Sequence, residues 1–145
     1  MDEDFFNNKL IESFEQMLDN RDYKYYDPED LCEILEFYIE VNDSEYAKRA
    51  LDYAEKMHPD NLEIKIKKIE YLLSISELKR AGKLIQEIKD LASQEIDYLL
   101  VQARYWDLKN MQRKASRFYE EALDIDDEET DFICNCIGNE YLNLD

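Results

Sequence analysis

The sequence predicts an all-α protein made of antiparallel helix–turn–helix units that repeat along the chain. Three observations carry that expectation. Glycine and proline are scarce, two of each in 145 residues, which disfavours sheets with many tight turns and favours helices joined by short polar connections. Ala47, Ala81 and Ala115 stand 34 residues apart, and each opens the same apolar pattern. A further apolar stretch of helical period precedes each of them.

The pattern is explicit. The first alanine is followed through Ala47, Ala50, Leu51 and Ala54, the second through Ala81, Leu84, Ile85 and Ile88, the third through Ala115, Phe118, Tyr119 and Ala122. Every position is apolar at the i, i+3, i+4, i+7 spacing of one helix face. The preceding helices place Leu31, Ile34, Leu35 and Tyr38 in "PEDLCEILEFYIEV" on such a face. "NLEIKIKKIEYLLS" supplies Leu62, Ile66, Ile69, Leu72 and Leu73, and "EIDYLLVQARYWDL" supplies Ile96, Leu99, Leu100, Ala103 and Trp106. Asp27 as N-cap, Pro28 at the first helical position and Asp30 in the first turn mark one helix start. The links "NDS" and "KNM" are short, so the helices they join run antiparallel. "HPDN", with Pro59, ends one helix and opens the next. Ahead of these lies residues 3–19, an amphipathic helix carrying Phe5, Phe6, Leu10, Ile11, Phe14, Met17 and Leu18.

Charge divides the chain. The formal net charge is −18, yet residues 1–63 carry −13, residues 64–117 carry +5 and residues 118–145 carry −10. With 45% hydrophobic residues the chain is no disordered acidic tail. The start, "MDEDFFNNKL", is acidic and holds no apolar leader core, and no apolar run has the ~18 residues that span a membrane. Cys32, Cys134 and Cys136 are odd in number and lack a CxxC spacing, so reduced thiols in the cytoplasm are expected.

A 34-residue helix–turn–helix, a small residue opening the packed face of its second helix and a closing proline resemble the tetratricopeptide repeat. "YAKRALDYAEKMHPDN" and "ASRFYEEALDIDDEE" carry the resemblance most clearly, and it covers residues 28–142. Lys68 and Gln102 stand where that family usually has an apolar residue, and Leu35 and Ile69 where it has a small one. The resemblance implies one domain over 1–145, with repeats at 28–59, 60–93 and 94–127 and the first helix of a partial fourth over 128–145. The helix over 3–19 then serves as an N-terminal cap, giving about eight helices in a right-handed α-solenoid. Gly138 fits this scheme. "IGNEY" supplies Ile137, Gly138 and Tyr141, the apolar, small and aromatic series of a first helix, where close packing offsets the glycine's cost of about 1 kcal/mol. The apolar face of Ile133, Ile137 and Tyr141 would lack a cover on one side, so the chain is expected to be the N-terminal part of a longer repeat protein or to self-associate through that end.

In the family, first-helix residues that do not point into the helix pair line a concave, peptide-binding groove. Carried over by spacing, these are Glu29, Cys32, Glu36, Ile39 and Glu40, then Glu63, Ile66, Glu70 and Leu73. The third repeat gives Asp97, Leu100, Arg104, Asp107 and Leu108, and the partial fourth gives Phe132, Asn135, Asn139 and Leu142. Acids alternate with aliphatics, which suits a basic or amphipathic peptide. The family's carboxylate-clamping variant uses cations and amides where this chain has Cys32, Glu36, Lys67, Asp97 and Val101, mostly of the wrong sign. A second pattern is basic. Arg49, Lys83 and Arg117 recur at the 34-residue period, and Lys79 and Arg80 recur as Arg113 and Lys114. Cations near helix N-termini oppose the macrodipole, so this ridge is expected to meet something acidic, a partner or another copy.

Chemistry is not expected. His58 is the one histidine, Cys134 and Cys136 point to different sides of a helix, and no phosphate-binding glycine loop or activated nucleophile pattern is present. The expectation is a non-enzymatic scaffold for a protein or peptide, cytoplasmic and similar to bacterial tetratricopeptide proteins, with no metal, cofactor, membrane or nucleic acid. Two alternatives stand beside it: a small acidic secretion-type chaperone, and a docking or regulatory portion of a larger enzyme or assembly. The tyrosines of "YKYY", Tyr23 to Tyr26, read as a contact patch or as the cover over the junction between the leading helix and the first repeat.

Overall fold

The computed structural model describes the backbone of residues 2–125 and the side chains of residues 8–125. It is all-helical over that span: α1 (Asp2–Asn20), α2 (Pro28–Glu40), α3 (Ser44–Met57), α4 (Leu62–Ser74), α5 (Leu78–Ala92), α6 (Ile96–Leu108) and α7 (Gln112–Ile125). The helix expected over residues 129–142, with Gly138, Cys134 and Cys136, lies outside the described residues. The chain divides into two compact units, Met1–Glu77 and Leu78–Asp145. In the first, α1 packs on α2, and α2, α3 and α4 pack on one another. In the second, α6 packs on both α5 and α7.

The period seen in the apolar residues reappears in the backbone. Asn42, Ser76 and Asn110 have φ of 59°, 62° and 61°, and they follow the ends of α2, α4 and α6. At each, two hydrogen bonds close the helix end. Asn42 N–H donates to the Ile39 carbonyl and Asp43 N–H to that of Tyr38, at 3.2 and 3.0 Å. Ser76 to Leu73 with Glu77 to Leu72 repeats the pair at 3.1 and 2.9 Å, and Asn110 to Asp107 with Met111 to Trp106 at 2.9 and 2.8 Å. This is the Schellman closure, in which a left-handed residue satisfies carbonyls that the helix leaves over. Asparagine tolerates that conformation and serine does so less well. Each turn ends its helix and lets the next begin within a few residues.

Capping starts the following helices. Asp43 accepts from the Tyr46 N–H and Asn61 from the Ile64 N–H, each at 3.1 Å. Asp27 does occupy the N-cap of α2, ahead of Pro28, but its side chain makes no capping bond.

The repeated apolar face is the core. Ala47, Ala50, Leu51, Ala54, Ala81, Ile85, Ile88, Ala115, Tyr119 and Ala122 are buried, and Leu84 and Phe118 are half-buried. Alanines dominate α3 because small residues let α2 and α4 approach it. Gly82 plays a related part inside α5. A Cβ added there would lie 2.5 Å from the Tyr105 hydroxyl, so its absence leaves room for a ring from α6.

The "YKYY" segment ties α1 to the helices that follow. Tyr26 is buried, its hydroxyl 2.8 Å from that of Ser13, and its ring meets Phe14 edge-on. The backbone N–H groups of Lys24 and Tyr26 donate to the sulfurs of Met17 and Met57. The Tyr53 hydroxyl donates to the Lys24 carbonyl. Tyr38 is fully buried, stacks on Tyr46 and donates its hydroxyl to Glu15 at 2.8 Å. Burial holds that hydroxyl protonated well above the ordinary tyrosine range, and the bond to Glu15 adds to the effect.

Candidate functional site

The acidic first-helix positions divide between the units. In the first unit they lie on α2 and α4, which pack against each other. Glu29, Glu36, Glu40 and Glu63 are exposed, while Ile39 and Glu70 are half-buried. Lys67 on α4 sits among them. Its ammonium donates to Glu70 at 3.1 Å and pairs with Glu36 on α2 at 3.8 Å. Lys67 is 16% exposed and Glu36 55%, so a held cation lies beside a carboxylate that still meets water. Ile66 and Leu73, expected on the same face, are buried at 4% and 3%, and Cys32 is buried at 9%. These three support the acidic residues from below and offer a ligand almost no surface. The acids are therefore presented by α2 and α4 with fewer aliphatics between them than spacing alone suggests.

The third set lies on α6 in the second unit. Asp97 and Arg104 are exposed, Leu100 and Asp107 half-buried, and Leu108 is 46% exposed. Arg104 breaks the acidic series there. Phe132, Asn135, Asn139 and Leu142 fall outside the described residues.

The basic positions are exposed throughout: Arg49 on α3, Lys79, Arg80 and Lys83 on α5, and Arg113, Lys114 and Arg117 on α7. Two of them stand over aromatic rings. Arg49 lies 5.1 Å from the Tyr46 centroid and Lys114 4.2 Å from that of Trp106. Cation–π attraction of about 0.5–1 kcal/mol at exposed sites gives these two a local partner that offsets the unfavourable helix dipole. Lys114 and Arg117 also border a cavity of about 460 Å³ formed by α5, α6 and α7, with Lys89, Gln102, Trp106 and Phe118 among its walls. Arg49 borders another of about 530 Å³ in the first unit, with Leu18, Tyr23, Tyr53 and Met57.

The two polar departures from the repeat pattern find partners. Lys68 on α4 pairs with Glu55 on α3 at 2.9 Å. Gln102, 7% exposed, is held in a chain of hydrogen bonds up α6. Tyr98 donates its hydroxyl to the Ile85 carbonyl of α5 at 3.0 Å, Gln102 donates to the Tyr98 oxygen at 3.2 Å, and the Trp106 indole donates to Gln102 at 3.1 Å. Residues four apart on a helix face one another, so Tyr98, Gln102 and Trp106 line up in sequence order. Burial raises the Tyr98 pKa; the bond from Gln102 works against it, and the charge of Asp90 adds to it.

Residue spacing did not single out Lys89, which the cavity brings beside Lys114 and Arg117. It lies outside the 34-residue series, so no repeat signal marks it. His58 has a structural place: its Nε2 is 2.8 Å from the Tyr26 carbonyl and its ring meets Tyr25. Among the described residues no three His, Cys, Asp or Glu side chains are grouped to hold a metal ion, and no helix is long and apolar enough to cross a membrane. Comparison with known protein families, with curated proteins and with solved structures finds no match to this chain.

Proposed function

We propose that the chain is a non-enzymatic interaction module of the tetratricopeptide type, a right-handed α-solenoid that binds a basic or amphipathic segment of a protein through the acidic face of its first helices. The observation that carries the reading is the α2–α4 face. Glu29, Glu36, Glu40 and Glu63 stay in water on two packed helices, while the apolar positions behind them are consumed by the core. Exposed carboxylates on two packed helices raise the local negative potential, which steers and orients a cationic segment. The recurring Schellman turns at Asn42, Ser76 and Asn110 support the repeat assignment, because they return at the period of the apolar pattern. The cysteine pattern supports a cytoplasmic setting.

The test is a titration of the full chain with a labelled peptide of alternating lysine and leucine. The variant Glu36→Lys with Glu63→Lys, both exposed, is expected to bind at least about tenfold more weakly than the native chain, with the difference shrinking at high salt. Equal affinity for the two proteins overturns the reading.

A further inference from the structure

We propose that the open cavity bordered by α5, α6 and α7 receives an acidic segment of a partner protein, with an aromatic side chain against its walls and the flanking carboxylates on the rim. Two independent features of the cavity point there. Its volume is about 460 Å³, within the range of about 300–1,000 Å³ typical of ligand pockets, and its walls include the rings of Tyr98, Trp106 and Phe118 with Leu99. Its rim then carries Lys89, Lys114 and Arg117 against one carboxylate, Glu121. In a chain of net charge −18, that is a local reversal of sign.

The cations are available for this. The ion pairs found between described residues, Lys48–Asp52, Lys67–Glu36, Lys67–Glu70 and Lys68–Glu55, all lie in the first unit. None of Lys89, Lys114 and Arg117 pairs with a described carboxylate. Lys114 is instead held over the face of Trp106, where it keeps its charge at the cavity wall and leaves donors for a carboxylate. Arg117 brings a planar fork suited to bidentate recognition of the same group. Gln102 adds a buried donor. One amide hydrogen goes to Tyr98, and among the described residues the other has no acceptor. A segment rich in acids around one aromatic residue fits the apolar walls and the cationic rim together: the ring buries apolar surface, and the carboxylates meet the three cations. This site is built from other residues than the α2–α4 face, in the other unit, and is opposite to it in charge.

Trp106 is the single tryptophan of the chain, so its emission reports on the cavity directly. The experiment titrates the full chain with a tryptophan-free heptapeptide of glutamates around one phenylalanine. The expected result is a saturable change in Trp106 emission. It should be absent with the glutamine counterpart of the peptide, and Lys114→Glu with Arg117→Glu should weaken it at least about tenfold, since like charges then face each other. Lys89→Glu, on a different and exposed position, is expected to weaken it severalfold, which keeps the test decisive if the double variant folds poorly. An unchanged emission, equal affinity in the charge-reversed variants, or a change evoked at lower concentration by phenylacetate or by a short oligothymidylate overturns the proposal. The lysine–leucine peptide of the previous test should leave Trp106 emission unaffected, so the two readings fail separately.

Discussion

Lys68 on α4 in the first unit and Gln102 on α6 in the second stand 34 residues apart. Both put a polar group where the repeat pattern asks for an apolar one, and they are accommodated differently. Lys68 keeps 31% of its side chain in contact with solvent and reaches Glu55 on the neighbouring helix. Gln102 is buried in the cavity wall and takes both its partners from its own helix. The difference follows from charge. An ammonium needs either water or a carboxylate, so Lys68 runs its apolar stem along the helix and brings its head to the surface. A neutral amide can be buried once it is hydrogen-bonded. The same contrast holds for the cations at large. In the first unit several are joined to carboxylates, whereas in the second Lys89, Lys114 and Arg117 gather around aromatic walls. In the first unit Lys67 and Lys68 join neighbouring helices through carboxylates, and in the second the three cations are left open to the cavity.

The sharpest way to break this comparison is to remove the two groups. Gln102→Ala takes away partners of two buried polar groups and opens a void. A loss of about 2–4 kcal/mol is expected from urea midpoints. Lys68→Ala removes a partly exposed pair and is expected to cost under about 1 kcal/mol. Similar losses at the two positions would show that burial does not separate them.

Tyrosine titration sharpens it next. The hydroxyls of Tyr38, Tyr53 and Tyr98 are all shifted upward, with burial as the leading cause. A raised folded-state value leaves stability intact below the unfolded pKa of about 10 and erodes it as pH rises beyond, by at most about 1.4 kcal/mol per pH unit for each group. Unfolding midpoints between pH 9 and 11.5 are therefore expected to fall, and Tyr38→Phe or Tyr98→Phe should each flatten the slope. A slope unchanged by both substitutions would count against the burial of these hydroxyls.

The turns give a smaller effect. Ser76 holds a left-handed backbone that costs a non-glycine residue roughly 1–2 kcal/mol, part of which Ser76→Gly recovers. The expected gain is about 0.5–1 kcal/mol after the added freedom of the unfolded chain is counted. Asn42→Gly and Asn110→Gly should gain less, because asparagine already tolerates the conformation. A loss at Ser76 in thermal melts would contradict the turn geometry.

The smallest effect belongs to the Glu36–Lys67–Glu70 cluster. Lys67→Met is expected to cost under about 1 kcal/mol at low ionic strength and less in high salt, since Glu70 is a one-turn neighbour on the same helix and Glu36 is largely exposed. It should also change affinity for the lysine–leucine peptide in the favourable direction, by removing a cation from the acidic face.

Much of the architecture was legible in the residues. The alanine series identified the second helices, because buried faces of close-packed helices demand small residues at regular spacing and leave a periodic trace. The link "NDS" marked a turn without revealing that Asn42, Ser76 and Asn110 share one backbone conformation; asparagine at two of them is a weak signal of it, and serine at the third carries none. The acids of α2 and α4 were found by spacing, but Ile66 and Leu73, placed beside them by the same rule, are buried. Spacing locates a residue on a helix and says nothing about how far the neighbouring helices wrap around it.

By itself, then, the sequence determined the helical class, the places of α2 to α7, the repeated core face and the division of charge. These follow from local periodicity and from the propensities of short segments. Only the tertiary structure decided that Gln102 is buried in a hydrogen-bonded ladder, that Lys67 bridges two helices, that Gly82 admits Tyr105, and that Lys89 joins Lys114 and Arg117 around one cavity. The last three depend on which side chains from different helices come within a few ångströms of one another, and the burial of Gln102 depends on how α5 and α7 pack on α6. That information lies in the packing of elements rather than in the order of residues within any one of them.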